Sequence, residues 1–160
     1  MEGKQFNAHE VLEMAREIEK KGMNYYQIHA DITDDKKIRD LFLRLKNEEK
    51  KHYDTFSNLK NEVKENKNKY DYLNESEVIA YLRTLVEFSI FPASISRKEA
   101  ETKSVDEILL TAIMAEKESI LFYRELVAAN KGESLAIINT LIEEEKQHLV
   151  DLTEISRDYS

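Results

Sequence analysis

The chain has 160 residues, a formal charge of −8 and no cysteine. Its size fits one domain, spanning residues 1–160, around one core. The missing cysteine excludes disulfides, thiolate-bound zinc, iron–sulfur clusters and thiol catalysis. The acidic balance argues against nucleic acid, whose binding rests on basic surface.

Only 3 glycines and 1 proline leave few breaks, so long helices are expected. The opening Met1-Glu2-Gly3-Lys4-Gln5-Phe6 has no apolar core of a signal peptide. No run approaches the ~20 apolar residues of a membrane span. The expectation is a cytoplasmic chain that makes no membrane contact.

The first helix is read over Val11–Ile32. Val11, Ala15, Ile18, Gly22, Tyr25, His29 and Ile32 recur at alternating steps of four and three, the spacing of one helical face. Glu19 and Tyr26 lie on a neighbouring row of that face, with small Ala15 and Gly22 beside the carboxylate. Thr33-Asp34-Asp35 is a polar turn with capping character. The second helix carries Ile38, Leu41, Leu45, Glu49, His52, Phe56, Leu59 and Val63 on one row and frays within Asn61–Lys69. Asn74-Glu75-Ser76-Glu77 resembles a capping box. It opens a short helix with Val78, Leu82, Leu85 and Val86 inward, stopped by Phe91-Pro92.

Ala93 to Lys103 is an aperiodic connector. Ser104-Val105-Asp106-Glu107 is a second capping box. The helix after it places Leu109, Ala112, Glu116, Ser119, Tyr123 and Leu126 on one face and stops at Asn130-Lys131-Gly132. The last helix presents Ser134, Ile138, Leu141, Glu145, His148, Leu152 and Ile155. Met14, Met23 and Met114 read as core filler.

Two patterns repeat. Ala15, Glu19, Lys20 and Tyr26 match Ala112, Glu116, Lys117 and Tyr123 at an offset of 97. Leu45, Glu48, Glu49, Lys50 and His52 match Leu141, Glu144, Glu145, Lys146 and His148 at an offset of 96. The expected architecture is therefore all-α: a four-helix bundle of two helical hairpins, joined by one long crossover that contains a short extra helix.

Glu-x-x-His on a helix aims a carboxylate and an imidazole at one point. Two such pairs and two single glutamates bring Glu19, Glu49, His52, Glu116, Glu145 and His148 around one cavity, on rows that are otherwise apolar. A charge where a core residue belongs needs a partner. Four carboxylates balance two divalent ions, and the donor set suits iron or manganese, with zinc also able to bind. Tyr26 and Tyr123 lie two turns beyond their glutamates. Each either donates its hydroxyl to a ligating carboxylate or packs in the core with its hydroxyl at the rim. Glu48, Glu143 and Glu144 read as solvated neighbours. Glu17 and Glu118, about 200° round the helix from Glu19 and Glu116, should face water. His9 reads as surface and His29 as a satisfied core histidine.

Glu19 with Tyr26, Glu49-Lys50-Lys51-His52, the stretch Glu116-Lys117-Glu118-Ser119-Ile120-Leu121-Phe122-Tyr123 and Glu145-Lys146-Gln147-His148 together resemble the rubrerythrin-like branch of the ferritin-like superfamily. The likeness is to the small type that lacks a rubredoxin domain. The resemblance implies a ferritin-like bundle with two iron ions. Glu49 and Glu145 would bridge them, Glu19 and Glu116 would be terminal, and His52 and His148 would cap one iron each. It implies an oxidoreductase acting on H2O2 or O2, an external electron-donor protein and a homodimer. The sequence departs from full rubrerythrins in lacking cysteine for an internal electron relay. It also lacks a second inward glutamate on the third long helix, where Ala112, Ile113, Ser119 and Ile120 stand. Two other readings stay open: ferritin- or bacterioferritin-like iron storage or detoxification, and a non-enzymatic, metal-stabilised interaction or sensor module.

Overall fold

The computed structural model describes residues 8–65, 76–128 and 133–159, and every regular element among them is helical. Six helices follow in order: α1 (Ala8–Ile32), α2 (Lys36–Glu65), α3 (Ser76–Glu87), α4 (Arg97–Glu101), α5 (Val105–Ala128) and α6 (Glu133–Arg157). Helices α1 and α2 pack as one hairpin and α5 and α6 as the other, with α1 against α5 and α2 against α6 between them. This is the expected bundle of two hairpins with a long crossover. No described helix is long and apolar enough to cross a membrane.

The turns follow local chemistry. Asp35 Oδ1 accepts from the Ile38 amide at 3.1 Å and so caps the otherwise unpaired first turn of α2. Thr33 Oγ1 accepts from the Asp35 amide at 3.2 Å. Ser104 caps α5 by accepting from the Glu107 amide at 3.2 Å. Asn74, Glu75, residues 130–132 and residues 66–69 of the stretch expected to fray lie outside the described residues; α2 stays helical through Glu65.

The crossover differs from expectation in two ways. Helix α3 ends at Glu87, ahead of the Phe91-Pro92 stop, in a tight last turn where the Ser89 amide donates to Val86 O at 3.3 Å; Lys21 Nζ also donates there, to Val86 O at 3.3 Å and Ser89 Oγ at 3.0 Å. The supposedly aperiodic connector also holds a second short helix, α4, capped by Ser96, whose Oγ accepts from the Glu99 amide at 3.1 Å. One turn is too short to display a period. Met114 is exposed rather than core filler.

The buried apolar residues form two clusters. One joins Val11, Ala15, Phe56, Phe122, Tyr123 and Leu141. The other joins Tyr26, Phe42, Leu45, Phe91, Leu109 and Leu152. On each long helix the segment between its two contributions carries a buried charged group: Glu19, Glu49 with His52, Glu116, and Glu145 with His148. A polar layer thus divides the core into an upper and a lower half.

Candidate metal centre

All six side chains expected around the cavity are buried. Their position is imposed by helical register, since each occupies a core step of its own row. The groups arrange in two sets with the donor types and spacing to hold a metal ion. The first is Glu19, Glu49, His52 and Glu145, and the second is Glu49, Glu116, Glu145 and His148; within each, one ligand atom per residue lies within 4.8 Å of the others. Glu49 and Glu145 belong to both sets. His52 Nδ1 lies 2.7 Å from Glu145 Oε1, and His148 Nδ1 lies 3.2 Å from Glu49 Oε1. The two imidazoles run nearly parallel, with centroids 5.8 Å apart and planes 17° apart.

Each support crosses from one hairpin to the other. Tyr26 Oη donates to Glu116 Oε1 at 2.6 Å, and Tyr123 Oη donates to Glu19 Oε1. Both tyrosines are fully buried, so they pack in the core and also donate to candidate ligands. His52 Nε2 meets Glu144 Oε2 at 2.5 Å, and His148 Nε2 meets Glu48 Oε2 at 2.5 Å. A carboxylate at Nε2 fixes the proton there and turns the Nδ1 lone pair inward, the usual support of a metal-binding imidazole.

Glu48 and Glu144, expected to be solvated, do reach solvent, at 34% and 52% exposed, and in addition contact the imidazoles. The repeat carried the signal, because Glu48 and Glu144 recur at the offset of the ligand pairs. Glu143 is solvated as expected and pairs with Lys146. Glu17 faces water. Glu118 does not: it is half-buried and accepts from the Ile90 amide at 2.7 Å. His9 is half-buried. His29 is in the core, but neither ring nitrogen has a hydrogen-bond partner.

The cluster is uncomfortable without cations. Burial, together with the charges of Glu49 and Glu145, pushes the Glu19 carboxyl well up. Burial, with Glu116 and Glu49, does the same to Glu145. Burial also disfavours the Glu116 carboxylate, but the neighbouring Glu145, His148 and Tyr26 outweigh it and hold that group low. Both imidazoles are pushed up against the effect of burial, His52 to about 9, by the surrounding carboxylates. Protons therefore do in part what metal ions would do. Six buried atoms of the cluster have no hydrogen-bond partner: His52 Nδ1, His148 Nδ1, Glu19 Oε2, Glu116 Oε2 and both oxygens of Glu145. Buried polar atoms are normally satisfied, and these six are donor atoms that could engage a metal ion.

The Rubrerythrin family model matches residues 10–105 of the chain. The chain belongs to the rubrerythrin family. The match runs from α1 through the crossover and stops where α5 begins, so the second hairpin enters on geometry alone. No curated protein and no solved structure matches. The rubrerythrin family membership and the buried carboxylate–imidazole cluster together fit a two-metal site.

Proposed function

We propose that this rubrerythrin-family chain holds two iron ions and reduces H2O2 or O2 with electrons from an external donor protein. The observation that carries the reading is the pair of candidate ligand sets sharing Glu49 and Glu145, with buried atoms of Glu19, His52, Glu116, Glu145 and His148 left unpartnered. Glu19 and His52 would hold one ion, Glu116 and His148 the other, and Glu49 and Glu145 both. Bound there, the metal pair supplies Lewis acidity and redox equivalents.

The remaining residues prepare that chemistry. Tyr26 and Tyr123 fix the terminal carboxylates and place a hydroxyl proton on each. Glu48 and Glu144 orient the imidazoles. Phe91 closes the crossover side: it is buried, stacks on Tyr25 with centroids 4.4 Å apart, and meets Tyr26 edge-on at 5.7 Å. With no cysteine in the chain, an internal thiolate-bound electron relay has no ligands, which supports an external donor. A homodimer in the cytoplasm is part of the same proposal. Leu110, Met114 and Leu121 are exposed on one face of α5, to either side of exposed Lys117, and would be the apolar contacts for a second copy.

The test is elemental analysis of protein expressed with iron, manganese and zinc all present, followed by peroxide consumption with a reduced small electron-carrier protein. Two irons per chain and donor-dependent loss of peroxide are expected. Two zinc ions and no turnover would leave the two-metal site standing and overturn the redox reading.

A further inference from the structure

His29 is buried apart from the metal cluster, about 15 Å along α1 from Glu19 at 1.5 Å per residue. It is 1% exposed, and neither ring nitrogen has a hydrogen-bond partner. Burial pushes its pKa down to about 4, so near neutral pH it offers one N–H donor and one acceptor. The internal repeat sharpens the anomaly. At the offset of 97, the counterpart of His29 is Leu126, which lies within a hydrophobic cluster. Leucine fills the equivalent position at the opposite end of the bundle, in the other cluster from that of Tyr25, Tyr26 and Ala30, so an imidazole here has to be explained by something other than packing.

Two cavities meet at His29. One of about 190 Å³ is walled by Ile32, Thr33 and Phe42 from α1, the turn and α2. The other, of about 400 Å³, is walled by Tyr25, Ile90 and Thr111. His29, Lys103 and Ile108 line both. The Tyr25 hydroxyl is already committed, donating to Ile108 O at 2.9 Å, while its ring lies against His29 with centroids 4.5 Å apart. That leaves His29 as the deeply buried polar group without a partner. The charged groups around the cavities are Glu99, Glu101 and Glu107 against Lys103, an acidic surplus that disfavours anions.

We propose that this cleft between α1, α4 and the start of α5 binds a small uncharged ring molecule bearing a hydroxyl or carbonyl group, with His29 as its hydrogen-bond partner. Ile32, Phe42, Ile90 and Ile108 supply apolar wall beside the placed imidazole, the combination that small-molecule sites use. The aromatic wall of Tyr25 fits a ring, and the neutral imidazole fits either a donor or an acceptor. The proposal is independent of which metal the centre takes and of whether it turns over.

Phenol is the probe, and the full chain as purified is the sample. The chain has 4 histidines, so the His29 ring-nitrogen signals are assignable by NMR with a His29→Leu spectrum as reference. Phenol should shift those signals saturably, with a dissociation constant on the order of 1 mM for so few atoms. Toluene, equal in shape and lacking the hydroxyl, should bind at least about 5-fold more weakly. His29→Leu, which copies Leu126, should lose that preference. No saturable shift, or equal binding of phenol and toluene by the native chain, would overturn the proposal even if the variant failed to fold.

Discussion

Hairpin α1–α2 and hairpin α5–α6 supply the same three ligand types in the same order, yet neither completes a metal set from its own residues. The first set takes Glu19, Glu49 and His52 from one hairpin and needs Glu145 from the other. The second takes Glu116, Glu145 and His148 and needs Glu49. The tyrosine and glutamate supports cross over as well. The centre is therefore a property of the docked pair, and bound metal would tie the hairpins together.

Away from the centre the hairpins diverge. Lys21 and Glu118 occupy equivalent places at the offset of 97, and both anchor the crossover. Lys21 binds Val86 O and Ser89 Oγ, and Glu118 accepts from the Ile90 amide. Opposite charges suit the opposite backbone groups they meet. Divergence marks the residues that serve one asymmetric segment, while the ligand positions stay alike.

The comparison breaks most sharply at the shared ligands. Glu49→Ala and Glu145→Ala each remove a donor from both sets, so elemental analysis should show less than one metal per chain. Glu19→Ala touches one set and should retain about one. Equal metal content in Glu19→Ala and Glu49→Ala would show that sharing is not what distinguishes these groups.

Next in size is the response of the metal-free protein to pH. His52, ordinarily at 6.5, is pushed up to about 9, with burial opposing and Glu145, Glu49 and Glu144 prevailing. A raised imidazole contributes stability in full below its unfolded value and loses it as pH rises through the folded one. Glu19 and Glu145, both raised, act in the same direction. Glu116, lowered from 4.5, acts oppositely but only in acid. The melting temperature of metal-free protein should therefore fall between pH 6.5 and pH 9, and a saturating divalent metal should flatten that slope. A metal-free melting temperature that rises across this range would contradict the reading of the cluster as proton-filled.

The supports come third. Glu48→Gln and Glu144→Gln should each weaken metal binding by roughly 10- to 100-fold, measured by competition with a chelator. Tyr26→Phe and Tyr123→Phe should each lower the stability of metal-loaded protein by about 1–3 kcal/mol, the cost of an unpartnered buried acceptor, measured by denaturant unfolding. Matching losses within each pair are expected from the symmetric arrangement, and a one-sided loss would locate the hairpin that dominates.

The long helices were legible because each repeats its apolar step over several turns, and the six charged groups on those rows were legible as intruders. Helix α4 was not, since one turn carries no period. The imidazole contacts of Glu48 and Glu144 were missed for a different reason. A surface glutamate and one that reaches inward from the rim share the same sequence context, and only the second hairpin's proximity tells them apart. The same holds for Glu118, whose partner is a backbone amide in the crossover. His29 was rightly read as core. That its nitrogens are unpartnered depends on what surrounds it in three dimensions, which periodicity does not report.

Gly22 and Ser119 give the finest version of the comparison, as equivalent positions at the offset of 97. A Cβ at Gly22 would meet Glu49 Cγ and Cδ at 3.6 Å and Phe91 Cε2 at 3.6 Å, all ordinary contact distances. Glycine inside a helix costs roughly 0.5–1 kcal/mol relative to alanine. Gly22→Ala should therefore stabilise the protein by about that amount, read by denaturant unfolding, with metal content unchanged. Ser119 already carries a Cβ, and its hydroxyl bonds back to Ala115 O at 3.2 Å, so Ser119→Ala should change stability far less. If Gly22→Ala instead sheds metal while the metal-free form is stabilised as expected, Glu49 must move toward Gly22 when the ions bind. The space beside that carboxylate would then belong to the metal site rather than to the packing.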